Sequence, residues 1–311
     1  MKVLVTGASG FVGRVAVPRL VAAGHEVRVA LRGPVPDPPS GSILVGEIGP
    51  DTEWRPALEG MDAVLHLAAR VHVMRDRAGG DGDFMRTNAE GTLQLAHAAA
   101  QAGATRFVFV STIKVNGEAT ADRPFRADDV PAPCDAYGRS KLAAEVGLRE
   151  IGGLDVAIVR PPLVHGPGAK GNLGRFCRLA RAGLPVPLAG IENRRDLVGV
   201  ENLADLLERC LWHPAAPGQV YLAADGEPLS TPQLYRVIAT AIGRVPRMFR
   251  VPVPLMRAAG RAIGLGAEID RLTQSLEVDV GKTRDLLGWQ PPRTVVEGLT
   301  GMARAFGAGY L

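Results

Sequence analysis

The 311-residue chain offers little that would hold a metal, a disulfide framework or a bilayer span. Its three cysteines, Cys134, Cys177 and Cys210, lie far apart, and its six histidines show no ligand spacing. Reduced cysteines and no metal centre are therefore expected. The formal charge of +4 is small and scattered along the chain, so no nucleic-acid partner is indicated. The most apolar late stretch, 251–265, is short and interrupted by Arg257 and Arg261, which argues against an integral membrane segment. The first apolar run starts at Val3 and leaves no room for a signal peptide, so a cytoplasmic location is expected.

What the chain does have is apolar residues, at 46%, in short β-branched runs that alternate with helical patterns. That alternation predicts a parallel sheet covered by helices. Strands are expected at 3–6, 26–31, 43–45, 63–67, 107–111 and 156–159, with helices at 12–23, 84–102 and 137–150. The proline-rich stretch 33–41 reads as a surface loop, and 70–83 as a mobile loop at a sheet edge. After residue 160 the alternation fails. Stretches 166–168 and 183–190 read as loops, and 201–212, 231–242 and 294–305 as helices, with Ser230 capping the second. The expected architecture is α/β: a Rossmann-type, doubly wound parallel sheet over 1–160. A smaller, mixed α/β substrate lobe over 161–311 is interleaved with it.

Directly after the first strand comes Thr6-Gly7-Ala8-Ser9-Gly10-Phe11-Val12-Gly13. Gly7 permits a tight turn, Gly10 lets backbone approach a pyrophosphate, and Gly13 lets a helix pack on its strand. The positive end of that helix favours phosphate. Further on, Tyr137-Gly138-Arg139-Ser140-Lys141 sets a phenol and an ammonium four residues apart on one helix face. A lysine beside a tyrosine lowers the phenol's pKa and suits it to proton exchange with an alcohol. Ser111 and Thr112 close a strand, where a hydroxyl can steady a substrate oxygen as charge develops. At the end of the second strand an NAD site usually carries an acid, and Arg32 stands there instead. Arginine suits a 2′-phosphate, so NADP(H) is expected, with NAD(H) the alternative.

The Gly-x-x-Gly-x-x-Gly spacing, the Gly10-Phe11-Val12-Gly13 ending and the Tyr-x-x-x-Lys pair resemble the extended short-chain dehydrogenase/reductases, the NAD-dependent epimerase/dehydratase family. The likeness continues along the chain in order. His66-Leu67-Ala68-Ala69 matches a signature whose backbone lies along the cofactor, and Asn88 in Asn88-Ala89-Glu90-Gly91-Thr92 matches a residue near the nicotinamide ribose. Aligning 111–117 on Gly117 makes Thr112 the catalytic hydroxyl, with Tyr137 and Lys141. Asn116 stands where the family has tyrosine. The segment 160–168 resembles the one that contacts the carboxamide, implicating Pro161, Leu163 and Val164, with His165 in place of a common tyrosine. Arg195 to Ala204 resembles a segment whose arginine reaches a nucleotide-sugar diphosphate, and Leu287-Gly288-Trp289-Gln290-Pro291 matches the C-terminal motif.

The resemblance thus implies cofactor contacts from Gly7, Ser9, Gly10, Phe11, Val12, Gly13, Arg32, Leu67, Ala68, Ala69, Asn88 and Ser111. Pro161, Leu163, Val164, Tyr137 and Lys141 complete that set. Substrate contacts fall to Thr112, Lys114, Asn116, Asn172 and Arg195. It also implies a UDP-sugar substrate and a homodimer formed through the helices near 84–102 and 137–150. Dehydration is disfavoured, because Ile113 and Lys114 follow Thr112 where dehydratases carry Asp-Glu. The string 111–117, together with 68–74, is similar to polysaccharide-locus proteins. The expected reaction is 4-keto reduction of a UDP-hexose or UDP-N-acetylhexosamine, with UDP-sugar 4-epimerisation the alternative. Reduction of an apolar aldehyde or ketone, or non-catalytic NADP sensing, are the readings from other classes.

Overall fold

Val3, Leu4 and Val5 are fully buried, because β1 (Lys2–Thr6) lies mid-sheet with both faces covered. In the computed structural model, which describes residues 1–71, 81–169 and 171–308, β1 pairs in parallel with β2 (Glu26–Leu31) and β4 (Ala63–His66). Outward from these run β3 (Ile43–Leu44) on one side and β5 (Arg106–Val110), β6 (Asp155–Arg160) and β9 (Val220–Leu222) on the other. The order is β3-β2-β1-β4-β5-β6-β9, all parallel. Strand order reverses between β1 and β4, and the crevice at the carboxyl ends of those strands is where such sheets bind ligands. A separate parallel pair, β7 (Leu163–His165) and β8 (Leu197–Gly199), belongs to the later part of the chain.

Alternation along β1 feeds two cores. Leu4 joins Trp54, Leu58, Leu95 and Phe107 on one face. Val3 and Val5 join Leu20, Val159, Leu203, Leu207 and Trp289 on the other. The Leu-Gly-Trp motif is a packing staple, since Leu287 and Trp289 are buried and the Trp289 indole donates to Asp205. A third core, built on Leu173, Phe176, Tyr235, Ile238, Leu299 and Phe306, draws its buried residues from beyond residue 160. The later chain also supplies β9 and the helix Val200–Trp212, which packs on Gly13–Ala22. The two parts therefore share one sheet and one core.

The strands expected in the first half lie within a residue or so of those observed. The region 84–102 is helical over Asp81–Gln101, with one π-helical turn at Met85–Glu90. Of the expected loop 70–83, residues 72–80 lie outside the described residues, and 81–83 are helical. Strands β7, β8 and β9 and the helices Asn172–Ala182, Val253–Ala262, Gly266–Thr273 and Gly281–Leu287 have no counterpart among the expected elements. Among the described residues no helix is long and apolar enough to cross a membrane, and no cluster of potential metal ligands occurs.

Candidate active site

The glycine turn is closely packed at Gly7 and at Gly13. Gly7 has φ +72°, and a Cβ there would sit 2.7 Å from the Ala68 amide nitrogen at the end of β4. A Cβ on Gly13 would lie 2.3 Å from the Gly7 carbonyl oxygen and 2.5 Å from Ala8 Cα. Gly13 thus seats the helix against the turn itself, where the sequence suggested contact with the strand. The helix Gly13–Ala22 has no side-chain N-cap and no acid in its first turn. Its first amides, which lack intrahelical partners, keep the positive end open to an anion. Ser9 and Gly10 are exposed beside it. This cradle fits the pyrophosphate of a dinucleotide.

Beneath the turn, His66 is fully buried between two hydroxyls. Its Nδ1 lies 2.7 Å from Thr6 Oγ1 and its Nε2 3.0 Å from Thr92 Oγ1. Burial foremost, then the Lys141 charge, pulls its pKa down to about 3, so the ring is neutral. The Thr6 hydroxyl also accepts from the Ala68 amide. This chain fixes the Leu67–Ala68–Ala69 backbone beside Gly7. Asn88, 1% exposed, accepts from the Arg70 amide at 2.7 Å and donates to the Arg70 carbonyl and to Ser140 Oγ, both at 3.0 Å. Its side chain ties the loop after β4 to the helix Ala136–Arg149.

Asp135 starts that helix, accepting the Gly138 amide at 2.7 Å as its N-cap. Tyr137 and Lys141 follow on its inner face. Lys141 is 1% exposed, and its Nζ stands 4.1 Å from the Phe109 ring centroid. Burial dominates over the neighbouring Glu145 carboxylate and lowers the Lys141 pKa to about 7. Tyr137 is half-buried, and desolvation of its hydroxyl, then Asp135, pushes the phenol up to about 12. The sequence suggested that Lys141 would lower the phenol. Burial and the Asp135 carboxylate instead hold the phenol above its ordinary value.

A folded-state pKa below the lysine's ordinary 10.5 means the unfolded chain binds the extra proton between about pH 7 and 10.5. Stability contributed through Lys141 therefore rises with pH across that window and is flat below it. Thermal melts of the wild type and Lys141→Met should diverge in the wild type's favour as pH rises from neutral, by on the order of 1 kcal/mol per pH unit. Parallel curves would show that the ammonium is not desolvated.

Thr112, 9% exposed, begins the short 3-10 turn Ile113–Val115, with extended backbone and its Oγ1 accepting the Lys114 amide at 3.3 Å. With Tyr137 it lines a cleft of about 270 Å³ between the sheet and the third core. Lys114, Leu163, Asn172 and Arg195 line the same cleft, as do Glu118, Phe176, Leu234 and Arg271, which the sequence did not single out. Lys114 Nζ is bonded to Glu118 at 2.8 Å and Asp135 at 2.6 Å. Burial works against its charge, but the two carboxylates outweigh it and raise its pKa. One guanidinium nitrogen of Arg195 donates to the carbonyls of Arg271 at 2.9 Å and Gln274 at 3.0 Å. That tethers its head beside Arg271, while burial lowers its pKa.

Two expected contact residues, Ser111 and Asn116, do not line the cleft and are bonded elsewhere. Ser111 donates to Glu145 Oε1 at 2.5 Å. Glu145 takes two bonds from Arg160, at 2.9 and 2.5 Å, and Arg160 donates on to Asn116 Oδ1 at 2.9 Å. All four side chains are at most 3% exposed. Ser111 and Asn116 are thereby joined into a buried strut behind the 3-10 turn Ile113–Val115.

His165, also fully buried, places Nε2 2.7 Å from Asp225 Oδ2. Its ring lies against the helix Val295–Gly307, where a Cβ on Gly298 would stand 2.4 Å from Cε1. It fastens the later chain together. Pro161 is buried, and Val164 is half-buried at the second core. Phe11 and Val12 pack against the third and second cores respectively. Arg32, at the end of β2, has a side chain 75% exposed and lies 3.5 Å from Glu47.

The family model for the NAD dependent epimerase/dehydratase family matches residues 3–224, and the chain belongs to that family. It is 39% identical over 311 residues to a UDP-glucose 4-epimerase of Vibrio cholerae, covering 98% of this chain and 95% of the relative. It is 32% identical to a 3-beta-hydroxysteroid dehydrogenase of Mycolicibacterium neoaurum, over 84% of this chain and 74% of the relative. The solved structure of MoeE5 in complex with UDP-glucuronic acid and NAD superposes with a TM-score of 0.80 at 27% identity. That match covers 99% of this chain and all of MoeE5.

Proposed function

We propose that this protein is a UDP-sugar 4-epimerase that retains its nicotinamide cofactor through the catalytic cycle. The observation that carries the reading is one cleft containing both a hydroxyl pair, Thr112 and Tyr137, and two guanidiniums, Arg195 and Arg271. The first pair suits proton exchange at an alcohol, the second a diphosphate. The Vibrio cholerae relative, a UDP-glucose 4-epimerase, supports epimerisation over the 4-keto reduction that the sequence alone favoured. The environment of Arg32 points the same way. Glu47 beside it offsets the charge that would attract a 2′-phosphate, which favours NAD over NADP.

A nicotinamide dinucleotide held at the Gly7–Gly13 turn would supply reversible hydride acceptance at C4 of the sugar. The chain's residues do the rest. Tyr137 exchanges a proton with the oxygen on C4. Thr112, whose Oγ1 already accepts the Lys114 amide, donates its hydroxyl proton to the same oxygen. Lys141 supplies the positive charge that stabilises the phenolate when its proton leaves the phenol. Arg195 and Arg271 hold the diphosphate while the sugar turns, and the walls formed by Phe176, Leu234 and Leu272 place no fixed charge in its way.

Arg271 is the cleaner probe of the diphosphate, because Arg195 also tethers backbone. Arg271→Ala should raise the KM for a UDP-sugar by about tenfold or more, the worth of a charged hydrogen bond, with cofactor content unchanged. An unaltered KM would remove the diphosphate from this cleft and favour the apolar-carbonyl chemistry of the steroid relative.

A further inference from the structure

The mild net charge conceals a segregated one. No acidic residue occurs between Asp155 and Glu192, or between Glu227 and Glu268. The second interval carries Arg236, Arg244, Arg247, Arg250, Arg257 and Arg261. The two intervals meet in space. The Val186 amide donates to the Arg247 carbonyl at 3.0 Å, the Phe249 amide to the Val186 carbonyl at 3.0 Å, and the Ala189 amide to the Phe249 carbonyl at 3.1 Å.

Beyond this seam the helix Val253–Ala262 is anchored by its two buried positions, Met256 and Gly260. A Cβ on Gly260 would stand 2.6 Å from Ile269, so that side is closed against the helix Gly266–Thr273. Apolar side chains are exposed along this segment, from the loop before the helix to the turn after it. Val245 is 77% exposed, Ile263 69%, Leu255 60%, Phe249 48% and Leu265 45%. Among them Arg244, Arg247, Arg250 and Arg261 are exposed. Among the described residues Arg244, Arg247, Arg250 and Arg261 form no ion pair, whereas Arg257 pairs at 3.3 Å with Asp270 of the neighbouring helix Gly266–Thr273.

We propose that this face docks the protein on the surface of an anionic phospholipid bilayer. Exposed apolar side chains interspersed with four unpaired arginines, with the nearest acids, Glu268 and Asp270, confined to the bordering helix, are the composition of an interfacial element that lies in the headgroup region. A second copy of the chain is disfavoured, because self-association would set arginines against arginines. A nucleic acid would use the arginines and leave Phe249, Leu255, Ile263 and Leu265 in water. The face adjoins the substrate cleft. The helices Asn172–Ala182 and Gly266–Thr273 both line the cleft, through Asn172, Leu173, Phe176, Arg271 and Leu272, and both border this surface. Docking would hold the cleft mouth near the membrane whichever carbonyl or alcohol it takes.

The test is flotation of the full-length protein with phosphatidylcholine vesicles, with and without phosphatidylglycerol. Binding to the phosphatidylglycerol vesicles should exceed binding to the neutral ones by about tenfold or more, and should be lost in roughly 1 M salt. Charge reversal in R244E/R247E/R250E should abolish it, and F249S/L255S should weaken it severalfold. Near-ultraviolet circular dichroism and UDP-sugar turnover of both variants, expected unchanged, establish that they fold. Protein remaining unbound, or binding both vesicle types equally, would overturn the proposal. So would loss on charge reversal with full binding in F249S/L255S, because that pattern describes a general polyanion surface.

Discussion

Tyr137→Phe is expected to lower turnover of a UDP-sugar by about two to four orders of magnitude, the usual contribution of a positioned proton donor and acceptor. Phenylalanine keeps the ring and its edge-on packing with Phe84 and removes only the hydroxyl. The glycine cradle lies at the end of β1, away from this side chain, so the cofactor should copurify with the variant as with the wild type. Cofactor content is read by denaturing the purified protein and assaying the released nucleotide. A variant that keeps more than about a tenth of the wild-type rate would assign the proton to another group. Glu118 and Thr112, which line the same cleft, are the alternatives.

Glu145→Ala should produce the largest loss of stability of any single change at the site, about 3–5 kcal/mol. Glu145 is 1% exposed, and its carboxylate takes both Arg160 bonds and the Ser111 hydroxyl. Removing it leaves the Arg160 guanidinium, itself 1% exposed, buried without its counter-charge. The cost arises from that orphaned cation rather than from the net worth of the pair. Replacing both members at once, as in Glu145→Leu with Arg160→Met, should therefore recover much of the loss. Chemical denaturation of the two single variants and the double variant measures the coupling directly. Additive effects would mean that the pair is not the unit described. Because Glu145 lies one helical turn beyond Lys141, the single variant should also depress turnover beyond its effect on folding.

These two residues differ in how visible they are in the sequence. Tyr137 and Lys141 share a helix and a spacing, and the glycine turn and Ser111-Thr112 each follow a strand whose apolar run is plain. Local patterns of that kind placed the strands up to β6 and the chemistry on them. Glu145 looks like any outward helix residue until Arg160, on a strand 15 positions later, is known to lie behind it. Asn88 matched a family signature, but its bonds to Arg70 and Ser140 depend on tertiary contact. The later strands are three residues each, too short for a period to register. The helix Asn172–Ala182 runs from Gly171 at φ +72° to Gly183 in a left-handed cap. Its buried positions, Leu173, Phe176, Cys177 and Ala180, alternate with arginines in a stretch otherwise rich in glycine and proline. Arg271 carried no local signal, because tertiary bonds from Asn193, Arg195 and Thr231 to the backbone at 271–274 bring it to the cleft.

The most direct measurement for the central reading is incubation of the purified protein with UDP-galactose and no added nicotinamide nucleotide, followed by chromatography of the sugar nucleotides. An epimerase that keeps its cofactor and returns the hydride should convert UDP-galactose to an equilibrium mixture with UDP-glucose over many turnovers, with no net change in nicotinamide absorbance. No interconversion of UDP-galactose or its N-acetylated counterpart, together with stoichiometric consumption of NADPH on a UDP-4-keto sugar, would contradict epimerisation and establish the reductase.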